Sequence, residues 1–146
     1  MKVREIMTPA AETIQPEATV EEAAQRMRDL DIGGLPVVSD GKLVGFVTDR
    51  DLVVRGIADG KEVSRTKIRE VMTPEVVCAY EDEDEREASQ RMGEHMIRRL
   101  MVCDHEGHAI GMLSLGDLAV HGSKKAATDK ALEDISRPAR PKGRSK

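Results

Sequence analysis

Residues 3–9 read VREIMTP and residues 68–74 read IREVMTP, so the chain repeats itself at an offset of 65 residues. The match continues through Ala23/Ala88, Gln25/Gln90, Arg26/Arg91, Met27/Met92, Ile32/Ile97, Leu35/Leu100 and Val37/Val102. It then slips to an offset of 66, where Gly45, Asp51 and Leu52 pair with Gly111, Asp117 and Leu118. One residue has therefore been inserted between Ser39-Asp40-Gly41-Lys42 and Asp104-His105-Glu106-Gly107-His108. Insertions survive best in surface turns, which predicts a hairpin loop there. A unit of about 55 residues buries too little surface to be comfortably stable alone, so two copies predict one pseudo-symmetric domain with a shared core. Function is then expected at the seam between the copies.

Within the first copy, Glu12-Thr13-Ile14-Gln15-Pro16 is a short extended stretch that a proline ends. Thr19-Val20-Glu21-Glu22 reads as a capping box, and Val20, Ala23, Ala24, Met27 and Leu30 follow on one face of a predicted helix. Leu35-Pro36-Val37-Val38 and Leu43-Val44-Gly45-Phe46-Val47 flank an Asp40-Gly41 turn, a strong hairpin signal. A second helix is expected over residues 49–58. The unit is β-α-β-β-α, which makes the fold class α/β (α+β) with two such repeats packed through their sheets.

The second copy keeps this order with weaker patterning, because Ser89 and His95 replace Ala24 and Leu30. The acidic run Glu81-Asp82-Glu83-Asp84-Glu85 precedes its helix and reads as a solvated cap that suits the helix dipole. Repeat one is assigned to residues 1–60, a linker to 61–67 and repeat two to 68–122. Residues 123–146 have little apolar periodicity and contain Pro138, Pro141 and Gly143, so they are expected to form a largely disordered tail.

Only Phe46 and Tyr80 are aromatic, which leaves no stacking platform for single-stranded nucleic acid. The net charge of −4 supplies no global basic field. The tail is the exception: eight Lys and Arg against Asp129, Glu133 and Asp134 give it +5. No apolar run approaches a membrane span and no signal-peptide core is present, so a cytoplasmic location without membrane contact is expected. Cys78 and Cys103 are too few for a disulfide framework or a four-ligand zinc site.

Each copy ends its last strand in Gly, two apolar residues, Thr or Ser, two free positions and Asp: Gly45 to Asp51 with Thr48, and Gly111 to Asp117 with Ser114. A hydroxyl followed three residues later by an acid is, on one reading, simply another capping box. On the other, the hydroxyl and backbone amides at a helix start receive phosphate while the Asp accepts from a ribose diol. The spacing alone leaves both open.

Taken together, the tandem β-α-β-β-α order, the Met-Thr-Pro lead-in, Leu35-Pro36-Val37-Val38 before the hairpin and Gly-x-x-Thr-x-x-Asp after it resemble a pair of CBS (cystathionine β-synthase) domains. The resemblance covers roughly residues 1–121. It implies a Bateman module, a regulatory fold that binds AMP, ADP, ATP, S-adenosylmethionine or NAD in two clefts where the copies meet. By resemblance, Asp51 or Asp117 would hold the ribose, and Thr48 or Ser114 would approach phosphate. The adenine would lie against Thr13-Ile14 or Val77-Cys78, and against Gly34-Leu35-Pro36 or Arg99-Leu100-Met101.

The copies differ at these positions. Copy one has Gly33-Gly34 where copy two has Arg98-Arg99, so Arg98, Arg99 and Arg50 form a candidate anion cluster, against the reading that the two arginines merely balance the acidic helix before them. Copy two places Met101 where the family usually has proline, and Leu115-Gly116 where copy one has Asp49-Arg50. The Thr48/Asp51 half is therefore expected to be the better ribose site.

Cys78 and Cys103 fall on strands that a β-α-β unit makes parallel neighbours. A redox-sensitive disulfide is conceivable there, although strands more often carry inert buried thiols. His105 and His108 with Cys103 lack a convincing fourth metal ligand and read as exposed turn residues.

No catalytic constellation emerges. The expectation is a non-enzymatic, stand-alone regulator that requires no cofactor or metal, takes an adenine nucleotide as regulatory ligand, forms a homodimer by resemblance, and signals to a downstream protein. A ligand-free protein–protein scaffold is the first alternative. Nucleic-acid binding through the basic tail is the second, disfavoured by the acidic body.

Overall fold

The computed structural model describes residues 1–9, 12–122 and 125–136. Copy one contributes β1 (Thr8–Pro9), α1 (Val20–Leu30), β2 (Gly34–Ser39), β3 (Lys42–Thr48) and α2 (Asp49–Asp51). Copy two contributes β4 (Cys78–Tyr80), α3 (Glu85–His95), β5 (Arg99–Cys103), β6 (Ala109–Ser114) and α4 (Leu115–His121), and α5 (Lys125–Ser136) follows. Local signals place several boundaries. The Thr19 hydroxyl accepts from the Glu22 amide at 3.1 Å and Glu22 accepts from Thr19 in return, so the predicted capping box starts α1. Asp40 and Gly41 both have positive φ, 51° and 79°, as a two-residue turn matched to strand twist requires.

The sheets are not confined to their own repeats. In copy two the strand order is β1-β6-β5-β4, so the Met-Thr-Pro lead-in of copy one forms the edge of copy two's sheet. Reciprocally, Thr73 from the second lead-in bridges Phe46 on β3. Ile14, expected in an extended stretch, makes one parallel bridge to Val37, where copy two has the full strand β4 paired with β5.

This exchange corrects the expectation of one shared core. One core holds Ile14, Val20, Ala23, Met27, Leu35, Val37, Val47 and Leu52 of copy one, together with Ile68 and Val71 from the second lead-in. The other holds Val3 and Ile6 from the first lead-in among the residues of copy two. Each lead-in is anchored by backbone bonds in the opposite repeat, Val3 N to Glu83 O at 2.9 Å and Ile68 N to Ala18 O at 2.8 Å. Burying side chains of this size contributes about 1.5–3 kcal/mol each. The two repeats are thereby held together by swapped segments.

The second helix lies where it is expected, α-helical over Asp49–Asp51 and continuing as a π-helix over Leu52–Ile57, with the Ala58 amide bonded five residues back to Val53. Two further expectations are corrected. The acidic run is not uniformly solvated: Asp84 caps α3 through the Arg86 amide, but Glu85 is fully buried at the place Val20 holds in copy one. The start of the tail is ordered, because α5 packs on α3 with Thr128 and Ala131 buried and Ile135 against the core. Gly93 permits this approach, since a Cβ there would meet Ala131 Cα at 3.3 Å. The tail's Lys124, Arg137, Arg140, Lys142, Arg144 and Lys146, and its prolines, lie outside the described residues. Among the described residues no helix is long and apolar enough to cross a membrane.

Candidate functional site

Two clefts lie between the repeats, and each takes its hydroxyl–carboxylate pair from one copy and its opposite wall from the other. The first, of about 200 Å³, sets Thr48 and Asp51 against Val76, Val77, Ile97, Arg99, Leu100 and Met101. The second, of about 330 Å³, sets Ser114 and Asp117 against Glu12, Ile32, Gly34 and Pro36. Arg99 and Gly34 hold equivalent positions, each first in its strand and paired in register with Ser114 and Thr48 respectively. The difference between the copies thus makes Arg99, an exposed residue, part of the lining of the Asp51 cleft, whereas the other cleft has Gly34 at the equivalent position. Met101 and Met112 line both clefts and form the wall between them.

Both signature motifs are capping boxes in fact. Asp51 Oδ2 accepts from the Thr48 amide at 3.0 Å while Thr48 Oγ1 accepts from the Asp51 amide at 3.1 Å. Asp117 and Ser114 repeat this at 2.9 and 3.0 Å. The cap does not exhaust either group. The Oδ1 of each Asp is not used by the cap, and each hydroxyl still carries a proton to donate. Asp51 Oδ1 stands 3.8 Å from Arg55 Nε, one turn on, and the Asp51 side chain is only 14% exposed. A fixed, mostly buried carboxylate whose second oxygen meets only the longer Arg55 ion pair is suited to a diol, and the structural and ligand-binding readings of the motif are compatible.

Of the residues singled out from sequence, Thr48, Asp51, Val77, Arg99, Leu100 and Met101 come together in the first cleft. Gly34, Pro36, Ser114 and Asp117 come together in the second. Ile14 and Leu35 are buried in the core of copy one, and Thr13, whose carbonyl accepts from Arg26, lines neither cleft. Arg50, Arg98 and Arg99 are all exposed, and of the three Arg99 alone lines a cleft. Cys78, which opens β4 directly after Val77, lines a separate cavity with Tyr80 and Cys103. Sequence reasoning missed Phe46, Thr73 and Val76 in the first cleft and Thr8, Glu12 and Ile32 in the second. The repeated Met-Thr-Pro lead-in held the signal for Thr8 and Thr73, had its crossing to the other repeat been foreseen.

On the β5–β6 turn, His105 Nε2 lies 3.1 Å from the Asp82 carboxylate and its ring stacks on Tyr80. Asp104, Glu106 and His108 bring ligand atoms within 4.8 Å of one another, but Asp104 already accepts from the Glu106 and His108 amides at 2.9 Å each.

A CBS domain family model matches this chain twice, at residues 3–56 and 68–123. The CBS domain-containing protein YhcV of Bacillus subtilis is 38% identical over 134 residues, covering 92% of this chain and 94% of that protein. Among solved structures, CBSX2 in complex with AMP superposes with a TM-score of 0.69 at 26% identity, covering 88% of this chain and 96% of that one. The CBS domain pair of protein MJ0100, in complex with 5'-methylthioadenosine and S-adenosyl-L-methionine, gives 0.70 at 28% identity over 82% and 93%.

Proposed function

The chain belongs to the CBS domain family, and we propose that it is a regulatory, non-catalytic protein whose Asp51 cleft binds a phosphorylated, adenosine-containing ligand. The observation that carries the reading is the placement of Arg99 from copy two in the same cleft as Thr48 and Asp51 from copy one. Asp51 Oδ1 accepts from the ribose hydroxyls, the Thr48 hydroxyl and the Arg99 guanidinium take phosphate oxygens, and Val76, Val77 and Ile97 give the base an apolar wall. Charge-assisted hydrogen bonds of this kind contribute about 1.5–3 kcal/mol each. The complexes of CBSX2 with AMP and of MJ0100 with adenosine derivatives support the ligand class. Each cleft also carries one glutamate, Glu75 in the first and Glu12 in the second, so it is Gly34 in place of an arginine that makes the Asp117 cleft the weaker phosphate site.

A ligand that bridges Thr48 and Arg99 touches both repeats, so it favours whichever arrangement of the two brings them together. The signal is then a population shift between arrangements, or between associated states of a homodimer, with no bond made or broken.

Calorimetric titration of AMP, ADP, ATP, S-adenosylmethionine and NAD into wild type, Asp51→Asn and Asp117→Asn tests this. Asparagine keeps a cap acceptor while removing the charge, so loss of binding in Asp51→Asn alone is the expected result. Absence of heat with every ligand at millimolar concentration overturns the reading and leaves the protein–protein scaffold.

A further inference from the structure

β4 and β5 run parallel as neighbours, with Cys78 opposite Met101 and Tyr80 opposite Cys103. Cys78 and Cys103 therefore leave the same face of the sheet and meet diagonally across the strand gap. Their sulfurs are 3.7 Å apart. A disulfide needs about 2.05 Å, so the two must close by about 1.7 Å. The backbone is placed to allow it, because Cys78 opens β4, the edge strand of its sheet, and Cys103 ends β5 just beyond a register irregularity after Val102. An edge strand is held by one neighbour only, and a bulged strand end bends more readily than a regular one.

The two thiols are unlike. Cys78 is half-buried and lines a cavity of about 260 Å³ with Pro74, Tyr80 and Cys103, whereas Cys103 is 5% exposed. The hydrogen bond from Cys103 holds the Cys78 thiol below its ordinary pKa, and Arg91, which donates to the Cys78 carbonyl at 2.7 Å, acts in the same direction. That same contact and burial push Cys103 up. The accessible sulfur is thus the better thiolate, and the buried one stays protonated beside it.

We infer that Cys78 and Cys103 form a redox modification site, a dithiol that a hydroperoxide converts into an intrachain disulfide, with Cys78 attacking first and Cys103 resolving. The Cys78 thiolate attacks one peroxide oxygen, the O–O bond breaks, and the departing alkoxide takes a proton to leave as alcohol, giving a sulfenic acid at Cys78. The Cys103 sulfur then attacks Cys78 Sγ. The S–S bond forms, the S–O bond breaks, and the Cys103 proton leaves with the hydroxyl as water. Two thiols lose two electrons and two protons, and the peroxide is reduced to alcohol and water. Exchange with an external dithiol reverses the step. Because Val76 and Val77 immediately precede Cys78 at the wall of the Asp51 cleft, the bond would alter ligand affinity there, a consequence that rests on the nucleotide reading above.

The test is treatment of the native full chain with tert-butyl hydroperoxide, followed by denaturing alkylation and intact-mass measurement. Wild type is expected to lose both alkylatable thiols as a single chain two hydrogens lighter, to yield a Cys78–Cys103 linked peptide, and to recover both thiols in dithiothreitol. Cys103→Ala should hold a dimedone-trappable sulfenic acid at Cys78, while Cys103 in Cys78→Ala should react at least about tenfold more slowly. Two thiols left alkylatable in wild type, disulfides only between chains, or equal rates in the two variants would overturn the site. AMP titration of oxidised and reduced wild type is read separately: equal affinity removes the link to the cleft, and no AMP binding in either form counts against the nucleotide reading alone.

Discussion

The Met7 sulfur lies 2.7 Å from where a Cβ on Gly111 would stand, and the Thr8 carbonyl is 2.9 Å from the same point. Met72 and Thr73 stand in the same relation to Gly45, at 2.7 and 2.9 Å. The glycine of each signature motif is thus the bed on which the other repeat's lead-in lies. Gly111→Ala and Gly45→Ala should each destabilise the fold by about 1–3 kcal/mol, because the clash includes a backbone carbonyl that a rotamer change cannot relieve. Urea unfolding measures this. Values near zero would mean that the lead-ins move aside freely.

Ile68 is fully exposed to neither solvent nor its own repeat's core: it is 0% accessible and packs with Val20, Met27 and Leu35 of copy one. Ile68→Ala should cost about 2–5 kcal/mol. Amide exchange locates the damage. Protection is expected to fall in α1 before α3, although residue 68 belongs by sequence to the second repeat.

What the sequence revealed and what it withheld divide along range of interaction. The capping boxes at Thr19, Thr48 and Ser114 and the Asp40-Gly41 turn are settled by neighbours three residues apart or fewer, and they read correctly. The exchange of lead-ins is decided by Met7 over Gly111, more than a hundred residues away, and an internal repeat is equally compatible with lead-ins that stay at home. Arg98 and Arg99 read alike in the sequence, and they part in the structure because β5 begins at Arg99 while Arg98 stays in the bend before it. Val77, just before β4, lines the cleft, while Cys78, the first residue of that strand, lines a separate cavity. α5 escaped because its buried face is Thr128, Ala131 and Ile135, too small and too polar a stripe to register as hydrophobic periodicity.

That weak stripe makes a prediction of its own. Ala131 is 1% exposed against α3, and Ala131→Glu would force a carboxylate into the contact with Gly93. α5 should detach, which limited proteolysis would register as rapid cleavage between residues 122 and 136 while the remaining body stays folded. An unchanged digestion pattern would show that the α3–α5 contact tolerates a charge.

On the β5–β6 turn, the Asp104 carboxylate is held below the ordinary carboxylate range, first by the His108 amide and then by the His108 ring and the Glu106 amide. A folded value depressed below the unfolded one gives stability that is present above the unfolded value and lost as pH falls through the folded value. The turn should therefore loosen only on the acid side of the normal carboxylate titration. The Gly107 amide, bonded to the Asp104 carbonyl at 3.2 Å, reports this by NMR. Asp104→Asn should remove the acid-side transition of that signal.

Arg99 separates recognition of phosphate from recognition of the nucleoside. It opens β5 as an exposed residue at the lining of the Asp51 cleft, and the second cleft has Gly34 at the equivalent position. If Asp51 holds the ribose and Arg99 the phosphate, Arg99→Gln should weaken AMP by about tenfold, the equivalent of one charge-assisted hydrogen bond, while leaving adenosine nearly unchanged. Arg98→Gln, one residue earlier and lining neither cleft, should affect neither ligand beyond a small salt-sensitive loss for AMP. Competition titration with the two ligands at fixed ionic strength separates the cases. Equal losses for AMP and adenosine in Arg99→Gln would mean that the side chain shapes the cleft and does not meet the phosphate.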